Sequence, residues 1–411
     1  MAINNQQELK TFFSSHDYPS YDRNNFDDFV EDKKFEFNIH SIHITGTNGK
    51  GSTANYIREI YIAHGYNVGF FNSPFLSSPL EMISFNNQNI FFEEYVSLLN
   101  PMLDDIERYH LSSFEIQTLI AYQYFINHQV DLAVVEVGMG GAIDATNILN
   151  KPLLAIITSV SLEHTAYLGS TISAIADAKA GIIKPGSRVL VSQLGDEAMY
   201  PIYLHVKKCH CDLHVVNDYH NEKFVNGGIS FDYRPYKELF ISTLATYQLK
   251  NASLAVEASN LLNDILPINE QDVRTGLATA CLPSRLEMIS SNVCVDGAHN
   301  PEAIESLMES LLKITDKPIH VIYAAFKDKN IDTILSILNR DCSSVTITTF
   351  AHPRARNKDD YFLYLDDYNF EEDYKHAIDE EIEKFPDDFI LITGSLAFSN
   401  YARRYLLGLD K

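Results

Sequence analysis

The sequence predicts an α/β fold in two domains, each a largely parallel sheet covered by helices. Three observations predict it. Short runs of β-branched and apolar residues alternate with helix-compatible segments from residue 41 to 279. A second alternation of the same kind begins near Ser291, just after the turn-forming Pro283-Ser284-Arg285. The first strand runs into a glycine-rich turn and then directly into a helical pattern. The expected division is residues 1–287 and 288–411.

The first domain is read as strands at 41–44, 68–71, 132–137, 153–158 and 188–191, with helices at 53–64, 114–127 and 172–183. Lys184-Pro185-Gly186 stops the last of these. A helix at 198–208 enters a strand at 213–216. Residues 228–233 and 237–243 read as a short antiparallel insert, followed by helices at 251–262 and 271–279. The second domain has strands expected at 293–296, 319–324, 344–350 and 389–393, with helices at 301–312, 331–338, 374–383 and 396–407, a Rossmann-like pattern. The acidic run from Asp359 to Glu383 reads as a solvated helix face.

Composition narrows the function. Hydrophobic residues at 45% and charged residues at 21% describe a globular chain, and 411 residues supply a core for each of two domains. A net charge of −23 argues against nucleic acid and anionic membranes as partners. No apolar run is long enough to span a bilayer and no signal peptide is expected. Five scattered cysteines suit a reducing cytoplasm. Cys209-His210-Cys211 is too tightly spaced for a zinc knuckle, and no second pair follows it.

The glycine-rich turn carries the sharpest chemistry. Thr45-Gly46-Thr47-Asn48-Gly49-Lys50-Gly51-Ser52 is a variant of the phosphate-binding loop, in which Gly51 rather than a hydroxyl follows the lysine. Backbone N–H groups of Thr47, Asn48, Gly49 and Gly51, a helix N-terminus and the Lys50 ammonium would surround a triphosphate. The first domain is therefore expected to be a P-loop ATPase domain. Other candidates follow strand ends, where parallel sheets gather ligands. Ser52 and Ser73 offer hydroxyls to Mg²⁺, and Glu136 ends a buried strand with a carboxylate that needs a cation. His164 is a candidate metal ligand or proton-transfer group, and Lys179 sits among small residues in a helix. In the second domain Asp296 and His299 open a helix and point to ribose or phosphate.

In order along the chain, these segments resemble the folylpolyglutamate synthase/dihydrofolate synthase branch of the Mur ligase family. The stretches include Thr45–Ser52, Ser73-Pro74, Glu136–Asn147, Thr158–Gly186, Gln248–Ala252, Pro283–Glu287, Asp296–Pro301 and Thr393–Leu396. The resemblance implies that ATP phosphorylates a carboxylate to an acyl phosphate, which the amine of L-glutamate then attacks. It assigns Lys50 to the β- and γ-phosphates, Ser52, Ser73 and Glu136 to one Mg²⁺, and His164 with a carbamylated Lys179 to a second. It puts Asn251 near the adenine, Arg285 on the phosphates, Asp296 and His299 on phosphates or ribose, and Asp144 on the pterin of the acceptor. Folate or dihydropteroate is the implied acceptor, and a cytoplasmic monomer is expected. The chain departs from the family pattern at Phe75, Met82, Ala142, Ala178, Tyr247 and Ser284. Two other readings use the same residues: a ligase of this chemistry with another carboxylate acceptor, and a nucleotide-binding paralogue without turnover.

Overall fold

A computed structural model describes residues 2–16, 23–75 and 78–409. The chain divides into two compact units, one of residues 1–220, 232–239 and 250–280, the other of residues 221–231, 240–249 and 281–411. These units differ from a single cut after residue 287 at three short stretches, 221–231, 240–249 and 281–287, which cluster with the C-terminal part. Packing accounts for the second of them. Ala245 lies in a core with Leu286, Ile304 and Leu307, and the Thr246 amide and hydroxyl meet the Ser310 hydroxyl at 3.1 and 2.8 Å.

The first unit is organised by an eight-stranded sheet with strand order β4-β3-β2-β5-β1-β6-β7-β8. Its strands are β1 (Ser41–Thr45), β2 (Val68–Phe71), β3 (Ile83–Phe85), β4 (Gln88–Asn89), β5 (Leu132–Glu136), β6 (Leu154–Ile157), β7 (Arg188–Val191) and β8 (Asp212–Val215). From β2 to β8 across the sheet all neighbours are parallel, and β3 and β4 add an antiparallel hairpin at one edge. Strand β1 is central, with Ile44 beside Glu136 of β5 on one side and beside Ile156 of β6 on the other. The chain leaves β1 toward one edge and crosses back after β5. The loops after β1, β5 and β6 therefore open side by side at this switch point, which is where α/β sheets bind ligands.

The β1, β5 and β6 strands are buried throughout, which explains their unbroken apolar runs. On one face the helix Ser113–Asn127 is apolar nearly all round because it too is enclosed, with Ile116, Leu119, Ile120, Tyr122 and Phe125 all at 0% exposure. Burying each such side chain contributes about 1.5–3 kcal/mol. Farther along the same face Ala155, Ile157, Val189 and Val191 pack against Ala176, Ala180, Ile202 and Val206.

The helix Lys50–His64, which begins at the glycine-rich turn, is braced by the helix Glu270–Thr279. Their backbones approach so closely that a Cβ on Gly276 would lie 2.4 Å from the Ile60 amide nitrogen and Cα. His64 adds a 2.6 Å contact to Asp272. Gly276→Ala is therefore expected to destabilise the protein. Overpacking against rigid backbone costs about 1–3 kcal/mol, more than alanine's helix propensity returns at up to about 1 kcal/mol. A thermal melt in which this variant matched or exceeded the parent would contradict the close contact.

The second unit contains most of a second sheet's surroundings and all of that sheet, with order β12-β13-β17-β14-β15-β16. Between the sheets in sequence lie β9 (His220–Val225), β10 (Gly228–Tyr233) and β11 (Tyr236–Ile241), and the second sheet comprises β12 (Glu287–Met288), β13 (Val293–Val295), β14 (Ile319–Tyr323), β15 (Ser344–Thr348), β16 (Asn369–Glu371) and β17 (Phe389–Thr393). All neighbours from β13 to β16 are parallel, with β12 antiparallel at the edge. The acidic run is not one helix face. It covers a 3₁₀ turn (Asp359–Tyr364), strand β16 and the helix Tyr374–Lys384.

Candidate active site

The glycine-rich loop is shaped by contacts from the neighbouring strand end as much as by its own glycines. The Thr47 amide donates to the Ser159 carbonyl at 3.0 Å, and the Asn48 amide to the Ser159 hydroxyl at 2.7 Å. Thr158 and Ser159 hydroxyls donate to the Asn48 carbonyl at 2.6 and 3.0 Å, and the Ser161 amide donates to the Thr47 hydroxyl at 3.0 Å. Gly46 leaves no room for a side chain, since a Cβ there would lie 1.9 Å from the Thr158 hydroxyl oxygen. Sequence reasoning inspected this segment for His164 and overlooked the lacing hydroxyls. Their signal was the unusual density of hydroxyls in Thr158-Ser159-Val160-Ser161 at a strand end.

Helix Lys50–His64 starts three residues earlier than periodicity suggested, with Gly49 as its N-cap at φ 85°. The first-turn N–H groups of such a helix lack intrahelical partners and face an incoming anion. Lys50 Nζ arches back over the loop and donates to the carbonyls of Gly46 and Thr47 at 3.1 and 3.3 Å. Asn251 lies against the same turn, for a Cβ on Gly49 would sit 2.3 Å from its Oδ1. Gly49→Ala thus combines a strained φ with a clash. It is expected to lower affinity for an ATP analogue by at least about tenfold and stability by about 1–2 kcal/mol. Titration calorimetry and thermal melts check both, and unchanged affinity would refute the placement.

Glu136 supplies the reason for the loop's variant sequence. Its carboxylate passes so near the helix start that a Cβ at Gly51 would be 3.0 Å from Oε2. Glycine at 51 admits the carboxylate, and the hydroxyl moves one place on to Ser52, which is 6% exposed. Ser73, after β2, also comes here, its amide donating to Glu136 Oε2 at 3.4 Å. Glu136, Ser52 and Ser73 carry only oxygen donors, the kind that suits Mg²⁺.

Lys179 is 3% exposed in the last turn of the helix Ile172–Ala180. Burial, reinforced by the Lys50 cation and opposed by Glu163, lowers its pKa to about 7. Much of this amine is therefore neutral and nucleophilic at physiological pH. His164, next to Glu163, follows β6 with φ 51° and caps the short helix Thr165–Leu168, with its side chain exposed. Asp144 behaves differently from the others. It is 5% exposed and directs both carboxylate oxygens into its own loop.

In the second unit Asp296 follows β13 and is 2% exposed. Its Oδ2 accepts from the Tyr247 hydroxyl at 2.5 Å and the Leu286 amide at 2.7 Å, and its Oδ1 from the Ala298 amide at 2.7 Å. Burial raises its pKa against the opposing pull of Arg285. The turn that presents Arg285 holds Ser284 and Leu286 at φ 55° and 48°. Asp296 holds that turn through Leu286, and Glu287 holds it through a 2.8 Å bond from the Ser284 amide. His299 Nδ1 contacts the Gly297 carbonyl at 3.0 Å, and Asn300 caps the helix Pro301–Ile314.

Residues 44–258 match the Mur ligase middle domain, and residues 284–396 match the Mur ligase glutamate ligase domain. The chain belongs to the Mur ligase family. Among curated proteins this Mur ligase is 35% identical to the dihydrofolate synthase/folylpolyglutamate synthase of Bacillus subtilis over 394 residues, covering 90% of this chain and 91% of that one. Among solved structures it is similar to the Mycobacterium tuberculosis folylpolyglutamate synthase complexed with ADP and AMPPCP, with a TM-score of 0.89, 27% identity and 98% of each chain covered. It is also similar to a folylpolyglutamate synthase (FPGS)–AMPPCP–folate complex, with a TM-score of 0.88, 29% identity, and 98% of this chain and 100% of that one covered. No helix among the described residues is long and apolar enough to cross a membrane.

Proposed function

We propose that this Mur ligase joins L-glutamate to a folate in an ATP-dependent, ADP-forming reaction through an acyl phosphate. The observation that supports the reading is the phosphate-binding loop, with Lys50 folded over its carbonyls, Glu136 beside its helix start and Lys179 near enough to feel the Lys50 charge. The B. subtilis relative named for both activities makes dihydropteroate a second candidate acceptor. The two relatives solved with ATP analogues and with folate support the nucleotide and the acceptor class.

Each residue has a physical task in this reaction. The Thr47 and Asn48 amides are spent on Ser159, so the amides of the helix start from Gly49 onward, with Lys50, would hold the terminal phosphates and draw negative charge from the γ-phosphoryl group as the acceptor carboxylate attacks. Ser52, Ser73 and Glu136 would hold one Mg²⁺, and His164 with Lys179 a second, provided that Lys179 carries a carbamate. Mg²⁺ supplies positive charge between two anions that otherwise repel each other. The neutral Lys179 amine would add to CO₂, forming an N–C bond and releasing a proton, and the resulting carbamate would offer anionic oxygens in place of a cation. In the first unit Asn251 would border the nucleotide beside Gly49. In the second unit Asp296 holds the turn that presents Arg285, and a phosphate or ribose contact for Arg285 and His299 is what the resemblance implies.

ADP release is measured with and without folate, dihydropteroate and glutamate, together with product masses. Release that needs both acceptor and glutamate, with one glutamyl unit added to the product, is expected. Release with neither would mark a bare ATPase, and no release at all would mark a paralogue without turnover.

A further inference from the structure

The segment Gly138–Asn147 carries the acidic residue that the resemblance gives to the acceptor, yet that carboxylate is consumed inside the protein. Asp144 Oδ2 accepts from the Met139 amide at 2.8 Å, and Oδ1 accepts from the Thr146 amide at 3.0 Å and the Thr146 hydroxyl at 2.5 Å. Burial raises the pKa of Asp144, and the bonds from Thr146 and the Met139 amide oppose that rise and favour the ionised form, which only accepts. The Thr146 hydroxyl has one proton, and it goes to Asp144. His43 Nε2 lies 2.8 Å from the same hydroxyl oxygen and must therefore donate to it. His43 is then the neutral Nε2–H tautomer, with a fully buried Nδ1 that has no hydrogen-bond partner among the described residues. Burial first, then the nearby Lys184 and Arg23 cations, depresses its pKa to about 3 and keeps it neutral. Tyr122 donates to the Thr146 carbonyl at 2.8 Å, and Arg23 donates to the Asp144 carbonyl.

The rest of the segment grips the catalytic elements. The Thr45 hydroxyl, at the end of β1, donates to the Gly140 carbonyl. The Ala142 amide donates to the Ala178 carbonyl at 2.8 Å, and Asn147 Nδ2 reaches the Ala142 and Gly181 carbonyls at 3.1 and 3.2 Å. Gly141 packs so tightly that a Cβ would lie 2.8 Å from the Lys179 carbonyl oxygen. The segment thus bridges the strand that launches the phosphate loop and the helix turn that carries Lys179.

We propose that His43, Thr146 and Asp144 are positioning residues. Their buried hydrogen-bond chain locks the 138–147 bracket and, through it, the helix turn that carries Lys179. The kinetic part of this proposal rests on the ligase reading, and the structural part does not.

Thr146→Val keeps the side-chain shape and removes the shared hydroxyl, and Thr146→Ser restores it. In Thr146→Val, amide hydrogen exchange is expected to quicken in peptides covering 138–147 and 172–183 and to stay unchanged in 293–323. Glutamate-dependent ADP release should show kcat reduced about ten- to a hundredfold, because small misplacements of reacting groups cost that much. The KM values for ATP and acceptor should stay within about twofold, and Thr146→Ser should recover kcat. If Thr146→Val does not fold, His43→Leu breaks the chain from its other end, with His43→Gln as its rescue. Unchanged exchange in both segments overturns the bracket whether or not the protein is a ligase. Absence of acceptor-dependent turnover in the unaltered protein sinks the ligase reading alone, and the exchange measurement still decides the bracket.

Discussion

Replacing Lys50 with alanine is expected to reduce ADP formation by at least about a thousandfold while the fold survives. A cation placed on a transferring phosphoryl group acts where charge develops, and removal of comparable groups costs about 10²–10⁵ in rate. Stability changes little by comparison. Lys50 gives up two hydrogen bonds to the loop carbonyls of Gly46 and Thr47, each contributing about 1 kcal/mol or less. Lys50→Met, which keeps much of the side chain's bulk without the charge, should lose as much activity as Lys50→Ala. Circular dichroism and a thermal melt establish folding, and a coupled ADP assay reads the rate. Turnover within tenfold of the parent in a folded variant would remove the cradle from the mechanism. A secondary effect follows from the geometry. Lys50 is one of the causes lowering the Lys179 pKa, so its removal should let that pKa rise.

Lys179→Ala is the second large effect. Activity is expected to fall by at least about a hundredfold and to return in part on adding acetate or formate. A small acid can supply the anionic oxygens that the carbamylated side chain would otherwise bring. The unaltered protein should show a matching pH dependence. Burial and the Lys50 cation disfavour the charged amine, so its midpoint lies at about 7. The neutral, CO₂-reactive form is therefore scarce near pH 6, about half the population near pH 7 and dominant near pH 8. At fixed dissolved CO₂, activity should rise through pH 7, and removal of CO₂ should lower it. An ordinary lysine would be neutral in fewer than roughly one molecule in a thousand at pH 7. ¹³C-bicarbonate NMR should show a carbamate signal that disappears in Lys179→Ala. A fully active Lys179→Ala protein, or activity that falls as pH rises through 7, would take Lys179 out of the site.

Much of the fold was legible because its strongest signals are local. Strands β2, β7, β10 and β17 occupy the expected residues, and β1, β5 and β6 lie within one residue of expectation at each end. Buried parallel strands write themselves as continuous apolar runs. Helix ends marked by glycine, proline or Asn-Pro were equally readable, as at Gly65 and Pro301. Elements without such signals were missed. Strand β9 is exposed along its whole length and so lacks an apolar pattern, and β3, β4, β12 and β16 are only two or three residues long. The N-terminal helices Gln6–Ser15 and Asn24–Lys33 were also overlooked. Each buries only two phenylalanine or leucine side chains among polar residues.

The sequence by itself determined the residue types at the phosphate loop, at the acidic strand end and at Lys179 among its small neighbours, because motif order and local periodicity are properties of neighbouring residues. Only the tertiary structure decided what those side chains face. Gly51 is glycine because Glu136, far along the chain, passes 3.0 Å from where its Cβ would be. The loop is held by Thr158 and Ser159, more than a hundred residues away. Asp144 and Asp296 turned inward because a buried carboxylate needs donors on both oxygens, and the folded backbone supplied them from Met139, Thr146, Leu286 and Ala298. Such choices depend on burial and on distances between remote segments, and neither exists until the chain has folded.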